Sequence, residues 1–211
     1  MIQIDGVTKS YGNNIVLSNF NAQIDIGTTC IMGQSGSGKT TLVNLVLGLI
    51  GPDSGTISLP SDVRYSCVFQ EDRLLSSMTV LKNILLVYSC DTQLNQNCPI
   101  YNTTQSAARH QVLSQAKYIL DQLGLQSVHD SKVATLSGGM KRRVAIARAL
   151  LIDADIYVFD EPFDGLDIDT RDRVAQIVKD YTQGKVCLLI THNEHDATVL
   201  SANILTIPKI N

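Results

Sequence analysis

The chain of 211 residues is long enough for one domain with a sizeable core, and its 44% hydrophobic and 18% charged residues are ordinary for a globular protein. Its formal net charge of -3 gives no bulk electrostatic basis for binding nucleic acid or an acidic membrane surface. The first residues lack a basic region followed by an apolar stretch, and no window holds about 18 uninterrupted apolar residues. Neither a secretory signal nor a membrane span is predicted, so any action at a membrane would need another chain to supply the spanning part.

The five cysteines are odd in number and none forms a CxxC pair, which does not support a zinc site. We predict reduced thiols in a reducing compartment. Three of them lie inside apolar, strand-like runs and are expected in the core: Cys30, Cys67 and Cys187.

The first third of the chain alternates apolar runs with turns. Short strands are predicted over residues 1–27, and a β-prone run at 28–32 ends at Gly33, where a glycine-rich loop begins. Apolar residues at helical spacing predict a helix at 41–47, and strand-like runs follow at 56–59 and 65–69.

The middle of the chain is predicted to be helical. Residues 80–88 favour a helix, whereas residues 89–105 are polar and rich in Asn, Gln and Thr, which predicts an exposed, mobile loop. A further helix ends at Gly124, and its apolar face comprises Val112, Ala116, Ile119, Leu120 and Leu123. This pattern predicts a helical subdomain inserted into an α/β domain.

The last third returns to alternating strands and helices. A helix is predicted after Ser137 and another around residues 174–181, and nearly continuous apolar runs occupy 156–159 and 186–190. Such runs are typical of a parallel sheet that is covered on both faces.

The glycine-rich loop fits the pattern G-x-x-x-x-G-K-[ST], with a strand before it and a helix after it. Its glycines let several backbone N–H groups point at one anion, and the helix N-terminus adds partial positive charge. Lys39 is expected to reach the β- and γ-phosphates, the Thr40 hydroxyl to bind Mg²⁺ and Thr41 to add a phosphate contact. The predicted nucleotide-binding residues are Gly33, Gln34, Ser35, Gly36, Ser37, Gly38, Lys39, Thr40 and Thr41.

Two carboxylates, Asp160 and Glu161, end the apolar strand at 156–159. The carboxyl end of such a strand is the sheet edge where α/β proteins bind ligands. Asp160 is placed to hold Mg²⁺, directly or through water. Glu161, which points the other way along the pleat, is a candidate to orient or deprotonate the attacking water. Alone, the pair is equally consistent with two solvated acids, and the phosphate loop upstream strengthens the catalytic interpretation.

Residues 136–140 read Leu-Ser-Gly-Gly-Met and are followed by three basic residues. This segment resembles the LSGGQ signature of ABC-type ATPases. Further motifs of that family occur in the family's order and cover nearly the whole chain. They are the aromatic A-loop at Tyr11, the Q-loop at Gln70, the D-loop at Asp167 and the switch histidine at His192.

The resemblance implies an α/β phosphate-loop NTPase fold of ABC type. Its expected parts are a mainly parallel core sheet flanked by helices, an N-terminal antiparallel β-subdomain and an inserted helical subdomain. A single ABC ATPase domain would cover residues 1–211. Residues 1–75 and 152–211 would form the core and β-subdomain, and about 76–151 the helical subdomain with the signature.

In this family two ATPase domains pair head to tail and hold two ATP molecules between them. The resemblance implies a homodimer in which Ser137, Gly138 and Gly139 form a second anion cradle for the partner's ATP. Tyr11 would stack on adenine, and Asp167 would cross the dimer interface.

The family's catalytic roles fall on two further residues. His192 would contact the γ-phosphate and help position Glu161 and the water, and Gln70 would touch Mg²⁺ or that water and report to the partner. Simpler alternatives exist for several residues taken singly. Tyr11 alone is more often a surface or core aromatic, a lone His192 is usually structural, and Ser137 is also an ordinary helix N-cap.

Two departures from the family pattern occur. Met140 replaces the usual Gln of the signature, which puts contacts from that side chain in doubt but leaves the backbone cradle unaffected. Asp164-Gly165 replaces the common Ser-Ala before Leu-Asp, which changes local dimer contacts and keeps Asp167.

The segment after the Q-loop resembles that of importer ATPases, most of all those of the nitrate, sulfonate and taurine class. It implies that permease subunits dock near Gln70 to Met78 and the helical subdomain, with apolar contacts from Leu74, Leu75 and Met78. The implied protein is cytoplasmic and peripheral on the cytoplasmic face of the membrane, with an extracellular substrate-binding protein reached through the permease. No nucleic acid is expected. The alternatives are a soluble ABC-type ATPase that acts on translation or DNA, and a degenerate member that barely hydrolyses ATP.

Overall fold

The computed structural model describes residues 1–90 and 106–210, with side chains described for 1–87 and 110–210. The main elements are β1 (Ile2–Tyr11), β2 (Asn14–Ile24), β3 (Gly27–Met32), α1 (Lys39–Val46), β4 (Ser54–Ser58), β5 (Tyr65–Val68), α2 (Val80–Cys90), α3 (Ser106–Gln122), α4 (Gly138–Leu150), β6 (Ile156–Asp160), α5 (Ile168–Tyr181), β7 (Val186–Ile190), α6 (Glu194–Val199) and β8 (Asn203–Thr206). Short 3₁₀ turns occupy Gln126–Val128 and Val133–Thr135.

The chain divides into two compact units. The first unit comprises Met1–Gln70, Ala154–Pro162 and Val178–Asn211, and the second comprises Glu71–Asp153 and Phe163–Ile177. The second unit thus gathers the helical segment together with residues that follow the acidic strand end. The assignment of the whole chain to a single ABC ATPase domain stays a prediction.

The first unit contains two sheets. One is antiparallel with the order β2-β1-β4, and the other has the order β5-β6-β7-β3-β8 with every neighbouring pair parallel. All residues of β6 and β7 are buried, which is why their sequences are continuous apolar runs rather than alternating ones. The predicted α/β fold with a parallel core sheet and an N-terminal antiparallel sheet is confirmed.

The thiols of the central strands are buried. Cys30 on β3 and Cys187 on β7 are free and inaccessible, and burial raises the pKa of each to about 12. Cys67 lies on β5, an edge strand of the sheet, and is partly buried. The expectation that all three lie in the core is confirmed for Cys30 and Cys187, whereas Cys67 packs against the core and is only partly buried.

The second unit is built on helices α2, α3 and α4. The predicted apolar face of α3 is confirmed at Ala116, Ile119, Leu120 and Leu123, which have no exposed surface. Gly124 ends this helix with a left-handed φ of +70°, and its N–H donates to the carbonyl of Asp121 at 3.0 Å.

Helix α2 is longer than its sequence pattern indicated. It continues to Cys90, so the first two residues of the predicted loop 89–105 are helical. The remaining residues of that predicted loop, 91–105, lie outside the described part of the chain.

Candidate functional site

The glycine-rich loop between β3 and α1 leaves no room for side chains at two positions. A Cβ on Gly33 would lie 2.5 Å from the Ser37 hydroxyl, and one on Gly38 would lie 2.7 Å from a methyl group of Val16. Gly38 also has φ of +97° and directly precedes α1. Glycine is therefore required where the backbone turns into the helix, and α1 begins at Lys39, two residues before the predicted start.

Lys39 folds back over the loop that precedes it. Its ammonium donates hydrogen bonds to the carbonyls of Gly33 at 2.8 Å and Gln34 at 3.0 Å. A cation is therefore held by the carbonyls of the loop, beside the N-terminus of α1, which is an arrangement suited to phosphate.

A cavity of about 360 Å³ lies on this loop. Ser35, Gly36, Gly38, Lys39, Thr40 and Thr41 line it together with Val16, Gln70, Asp160, Glu161 and Ile190. The fold thus gathers six of the nine predicted phosphate-loop residues with the predicted Q-loop glutamine and both strand-end carboxylates. The remaining three, Gly33, Gln34 and Ser37, belong to the loop but do not line the cavity.

Glu161 has an unusual backbone conformation. Its φ is +49°, in the left-handed region that a non-glycine residue rarely adopts, and its N–H donates to the carbonyl of Ile190 at 2.9 Å. Strain of this kind persists where the surrounding structure enforces it, and it concentrates at functional sites. The pleat ends at Asp160, so its alternation does not extend to Glu161, and both carboxylates line the same cavity.

His192 lies beside Glu161. Its Nδ1 is 3.8 Å from Oε1 of Glu161, and the two side chains are 65% and 24% exposed. The histidine is therefore the more accessible partner, and it occupies the loop that follows β7.

Two buried polar residues flank His192 and were not singled out from the sequence. The Thr191 hydroxyl donates to the Asp196 carboxylate, which is 1% exposed, and accepts from the Asn193 N–H at 3.1 Å. Asn193 in turn caps α6 through the His195 N–H. This chain of bonds fixes the loop that carries His192, and only the polar-rich sequence after β7 hinted at it.

Tyr11 is the last residue of β1 and is 52% exposed. It is paired with Asn14 across the hairpin, and Ser10 is paired with Ile15. The next residue, Val16, lines the phosphate-loop cavity, so Tyr11 lies on the hairpin that reaches this cavity.

In the second unit, the predicted signature residues begin α4. Ser137 is the N-cap, and its hydroxyl accepts the Met140 N–H at 3.3 Å. Gly138 and Gly139 form the first turn, and a Cβ on Gly139 would lie 3.3 Å from the carbonyl of Gly165. The signature and the predicted D-loop are therefore packed against each other.

Asp167 has a local structural role. Its carboxylate accepts the Thr170 N–H at 3.0 Å at the start of α5, and this bond is the main cause of the lowered pKa of Asp167. Asp167 is exposed although it caps α5. The predicted role at a dimer interface requires this exposure.

Arginines of α4 were not predicted as functional, yet they hold the predicted motifs in place. Arg142 forms an ion pair with Asp72 at 3.0 Å, and Arg148 donates to the carbonyls of Asp72 at 2.9 Å and Arg73 at 2.8 Å. Arg143 donates to the carbonyls of Leu123 and Gly139. Burial is the main cause of the lowered pKa of Arg143 and of Arg148.

A second cavity, of about 430 Å³, lies at the amino ends of β6 and β7 and includes Met1, Asp62, Asp155 and Lys185. Parallel α/β sheets bind their ligands at the carboxyl ends of the strands. The smaller cavity on the glycine-rich loop is therefore the candidate site.

Together, the strand–loop–helix cradle, its lysine and the two carboxylates at the end of β6 define a phosphate-loop ATPase. The comparisons with known proteins agree and are more specific. Residues 17–164 match the model of the family described as "ABC transporter". The chain belongs to the ABC transporter family and is an ATPase of that family.

Relatives in bacteria cover nearly all of the chain. It is 35% identical to the nitrate import ATP-binding protein NrtD of Synechocystis sp., over 92% of this chain and 71% of the relative. It is also 35% identical to an aliphatic sulfonates import ATP-binding protein SsuB of Rhodopseudomonas palustris, over 98% and 70%. A Nod factor export ATP-binding protein of Burkholderia orbicola is equally identical, over 98% and 67%.

Solved structures give the same assignment. A dimeric bacterial ABC transporter cassette, MJ0796, aligns with a TM-score of 0.81 and 29% identity over 99% of this chain and 94% of that one. The same cassette bound to ADP and phosphate in a post-hydrolysis state aligns with a TM-score of 0.79 and 28% identity over 98% and 94%. Within the described residues, no helix combines the length and apolarity needed to cross a membrane.

Proposed function

We propose that this chain is the ATP-hydrolysing motor of a transporter whose membrane-spanning part is a separate permease. The observation that carries the proposal is the cavity that the phosphate loop shares with Gln70, Asp160 and Glu161. Three sequence segments that are far apart along the chain converge there: the phosphate loop, Gln70 and the acidic end of β6. Each supplies a group that phosphoryl transfer to water requires.

In this proposal the loop amides and Lys39 bind the phosphates of ATP. Lys39 donates to the carbonyls of Gly33 and Gln34, so its charge lies on the loop that would receive the phosphates. Tyr11, exposed on the neighbouring hairpin, stacks on adenine.

The residues of the cavity also fit Mg²⁺, a hard cation that prefers oxygen ligands. Thr40, Gln70 and Asp160 offer a hydroxyl, an amide oxygen and a carboxylate on the same cavity and would hold the ion. When bound, Mg²⁺ neutralises charge on the β- and γ-phosphates.

Glu161 orients and deprotonates the attacking water. Its strained backbone fixes its side chain over the cavity, and His192, 3.8 Å away, helps to position it and contacts the γ-phosphate. Gln70 lines the same cavity and begins the segment that contains the proposed docking residues.

Two copies of the chain pair head to tail around two ATP molecules. The exposed N-terminus of α4, with Ser137, Gly138 and Gly139, presents amides to the partner's γ-phosphate, and exposed Asp167 lies at the interface. The alignment with a dimeric cassette supports this arrangement. ATP closes the dimer, and hydrolysis with phosphate release reopens it.

Permease subunits dock on the segment Gln70 to Met78 and the helical subdomain. Leu75 is 48% exposed although its backbone is firmly held, which suits an apolar contact with a partner helix. The chain would then lie on the cytoplasmic face of the membrane, and an extracellular substrate-binding protein would act through the permease. The nitrate and sulfonate importers among its relatives favour a small oxyanion as cargo.

The transport assignment is tested with a tagged Glu161→Gln variant, which should bind ATP, hydrolyse it about 10²–10⁴-fold more slowly and accumulate as a dimer. The variant is isolated with ATP and Mg²⁺ from cells solubilised in mild detergent, and its partners are identified. Recovery of a polytopic membrane protein supports the motor. Recovery of ribosomal or DNA-associated partners alone would support the soluble alternative. Glu194→Gln, an exposed and matched substitution, should turn over at the parental rate.

The nucleotide assignment has a separate test. Lys39→Ala should abolish tight ATP binding in calorimetry because the loop loses its only side-chain cation, whereas Lys117→Ala on the exposed surface of α3 should not change it. Normal ATP affinity in the Lys39 variant would remove the phosphate-loop assignment.

A further inference from the structure

An ion pair in the first unit joins two segments that are distant in sequence. The Lys9 ammonium lies 2.8 Å from Oδ1 of Asp53, and the side chains are 16% and 44% exposed. An exposed ion pair of this kind contributes little to stability. Its position beside Tyr11 suggests a different use.

Asp53 holds the end of β1 through three hydrogen bonds. While Oδ1 binds Lys9, Oδ2 accepts the Ser10 N–H at 2.7 Å, and the Asp53 N–H returns a bond to the Thr8 carbonyl at 2.9 Å. The hydrogen bond from Lys9, and after it the bond from the Ser10 N–H, lower the pKa of Asp53. Three successive residues before Tyr11 are thereby tied to one aspartate.

These bonds occur where the strand pairing is irregular. The β1–β2 register shifts between Lys9 and Ser10, and Tyr11 then pairs with Asn14 at the hairpin end. A bulge re-aims the side chains that follow it, so the direction of the Tyr11 ring depends on how the bulge is held. The bonds from Asp53 to Lys9 and Ser10 hold this bulge.

Lys9 also contacts the ring itself. Its ammonium lies over the face of Tyr11, 5.8 Å from the ring centroid, while Tyr11 remains 52% exposed. A cation at this distance is attracted by the ring. Lys9 therefore lies between Asp53 and Tyr11 and occupies one face of the ring, which leaves the opposite face for a base.

We propose that Asp53 is a positioning residue for adenine recognition, acting through Lys9 and the Ser10 backbone on the orientation of Tyr11. The inference rests on the proposed function, in which Tyr11 stacks on adenine. Asp53 does not touch the nucleotide. Asp53 strengthens the part of the ATP affinity that comes from the adenine base. It does not affect the part that comes from the phosphates.

The test compares two probes by titration calorimetry with Mg²⁺: ATP and inorganic tripolyphosphate, which has no base. Asp53→Ala should weaken ATP binding about three- to tenfold and leave tripolyphosphate binding unchanged. Lys9→Met, which keeps the apolar stem of the side chain, should weaken ATP binding by a smaller factor and also leave tripolyphosphate binding unchanged. Asp25→Asn, an exposed aspartate elsewhere in this unit, is the control and should affect neither probe.

A double-mutant cycle separates positioning from other effects. Tyr11→Ala should itself weaken ATP binding about 5- to 150-fold, and adding Asp53→Ala to it should then have no further effect. Unchanged ATP affinity in Asp53→Ala, or an equal loss for both probes, would overturn the positioning role and leave Tyr11 assigned to adenine. Unchanged ATP affinity in Tyr11→Ala would overturn the adenine assignment as well.

Discussion

Asn83 is a buried amide whose removal should loosen the segment at which a permease is proposed to dock. It has no exposed surface, and its side chain makes three hydrogen bonds to the backbone of the turn before α2. Oδ1 accepts the Leu75 N–H at 2.7 Å, and Nδ2 donates to the carbonyls of Leu75 and Thr79 at 3.0 Å each. One side chain thus satisfies both ends of a five-residue turn.

Asn83→Ala removes all three bonds and leaves their backbone partners without that amide. The carbonyls of Leu75 and Thr79 keep backbone donors, so the Leu75 N–H is the group that loses its partner. At about 0.5–1.5 kcal/mol for each bond, with an added cost for that N–H, the free energy of unfolding should fall by about 2–4 kcal/mol. For a chain of this size the melting temperature should fall by about 5–15 °C. Asn83→Asp keeps the acceptor and loses both donors, so its loss should be comparable or larger because a charge is buried as well.

The assay is urea denaturation followed by circular dichroism, with Lys82→Ala as the control. Lys82 is exposed on the same turn of α2, so its variant should stay within about 0.5 kcal/mol of the parent. ATP hydrolysis by the isolated Asn83→Ala chain should persist at temperatures where it is folded, while any stimulation by the permease should be lost. A loss of stability no greater than that of Lys82→Ala would refute the assignment of these bonds.

Three other substitutions test separate parts of the structure. Gly38→Ala should lose about 1–2 kcal/mol of stability and most ATP affinity in calorimetric titration, because φ is left-handed there and the added methyl group would lie 2.7 Å from a side chain. The control is Gly184→Ala, where φ is also positive but the space is open. This variant should lose stability and keep its ATP affinity. Arg142→Met should lose about 1–3 kcal/mol in urea denaturation because its ion pair is largely buried, whereas an equal loss in Lys141→Met would contradict that reason. The helix cap made by Asp167, whose pKa is lowered from 3.8, should stabilise the protein above pH 3.8, and this stabilisation should be lost as the pH falls through the lowered pKa. Asp167→Asn should still cap α5. It should remove this pH dependence from thermal melts recorded between pH 2 and about 6.

The sequence predicted those features that are encoded by neighbouring residues. The apolar runs of β6 and β7 identify buried parallel strands because a strand covered on both faces has no polar alternation to preserve. The glycine-rich loop is equally local, since its glycines and lysine lie within eight residues of one another. The acidic strand end was expected near that loop because the carboxyl ends of parallel strands share one edge of the sheet. Gln70 was expected there only from the family resemblance, and it lines the same cavity.

Features that depend on distant residues could not be predicted in this way. The Lys9–Asp53 pair spans 44 positions and the Arg142–Asp72 pair spans 70, and no spacing rule links such residues before the fold is known. The left-handed backbone of Glu161 was also missed, because the preceding strand pattern favours a continued extended conformation. A tertiary hydrogen bond from the Glu161 N–H to the carbonyl of Ile190, at the end of β7, helps to hold this conformation.

The departure at Met140 shows how backbone chemistry can tolerate a change of side chain. In the signature, the contact that starts α4 is made by the Met140 N–H, which the Ser137 hydroxyl accepts at 3.3 Å. Any residue except proline supplies that N–H, so methionine retains the cap that glutamine would make. The proposed anion cradle likewise consists of the Ser137 hydroxyl and the amides of Gly138 and Gly139. Gly139 packs closely on Gly165, so its position is more constrained than that of Met140. The departure from the family signature therefore falls at Met140, whose side chain takes no part in the cap or in the proposed cradle.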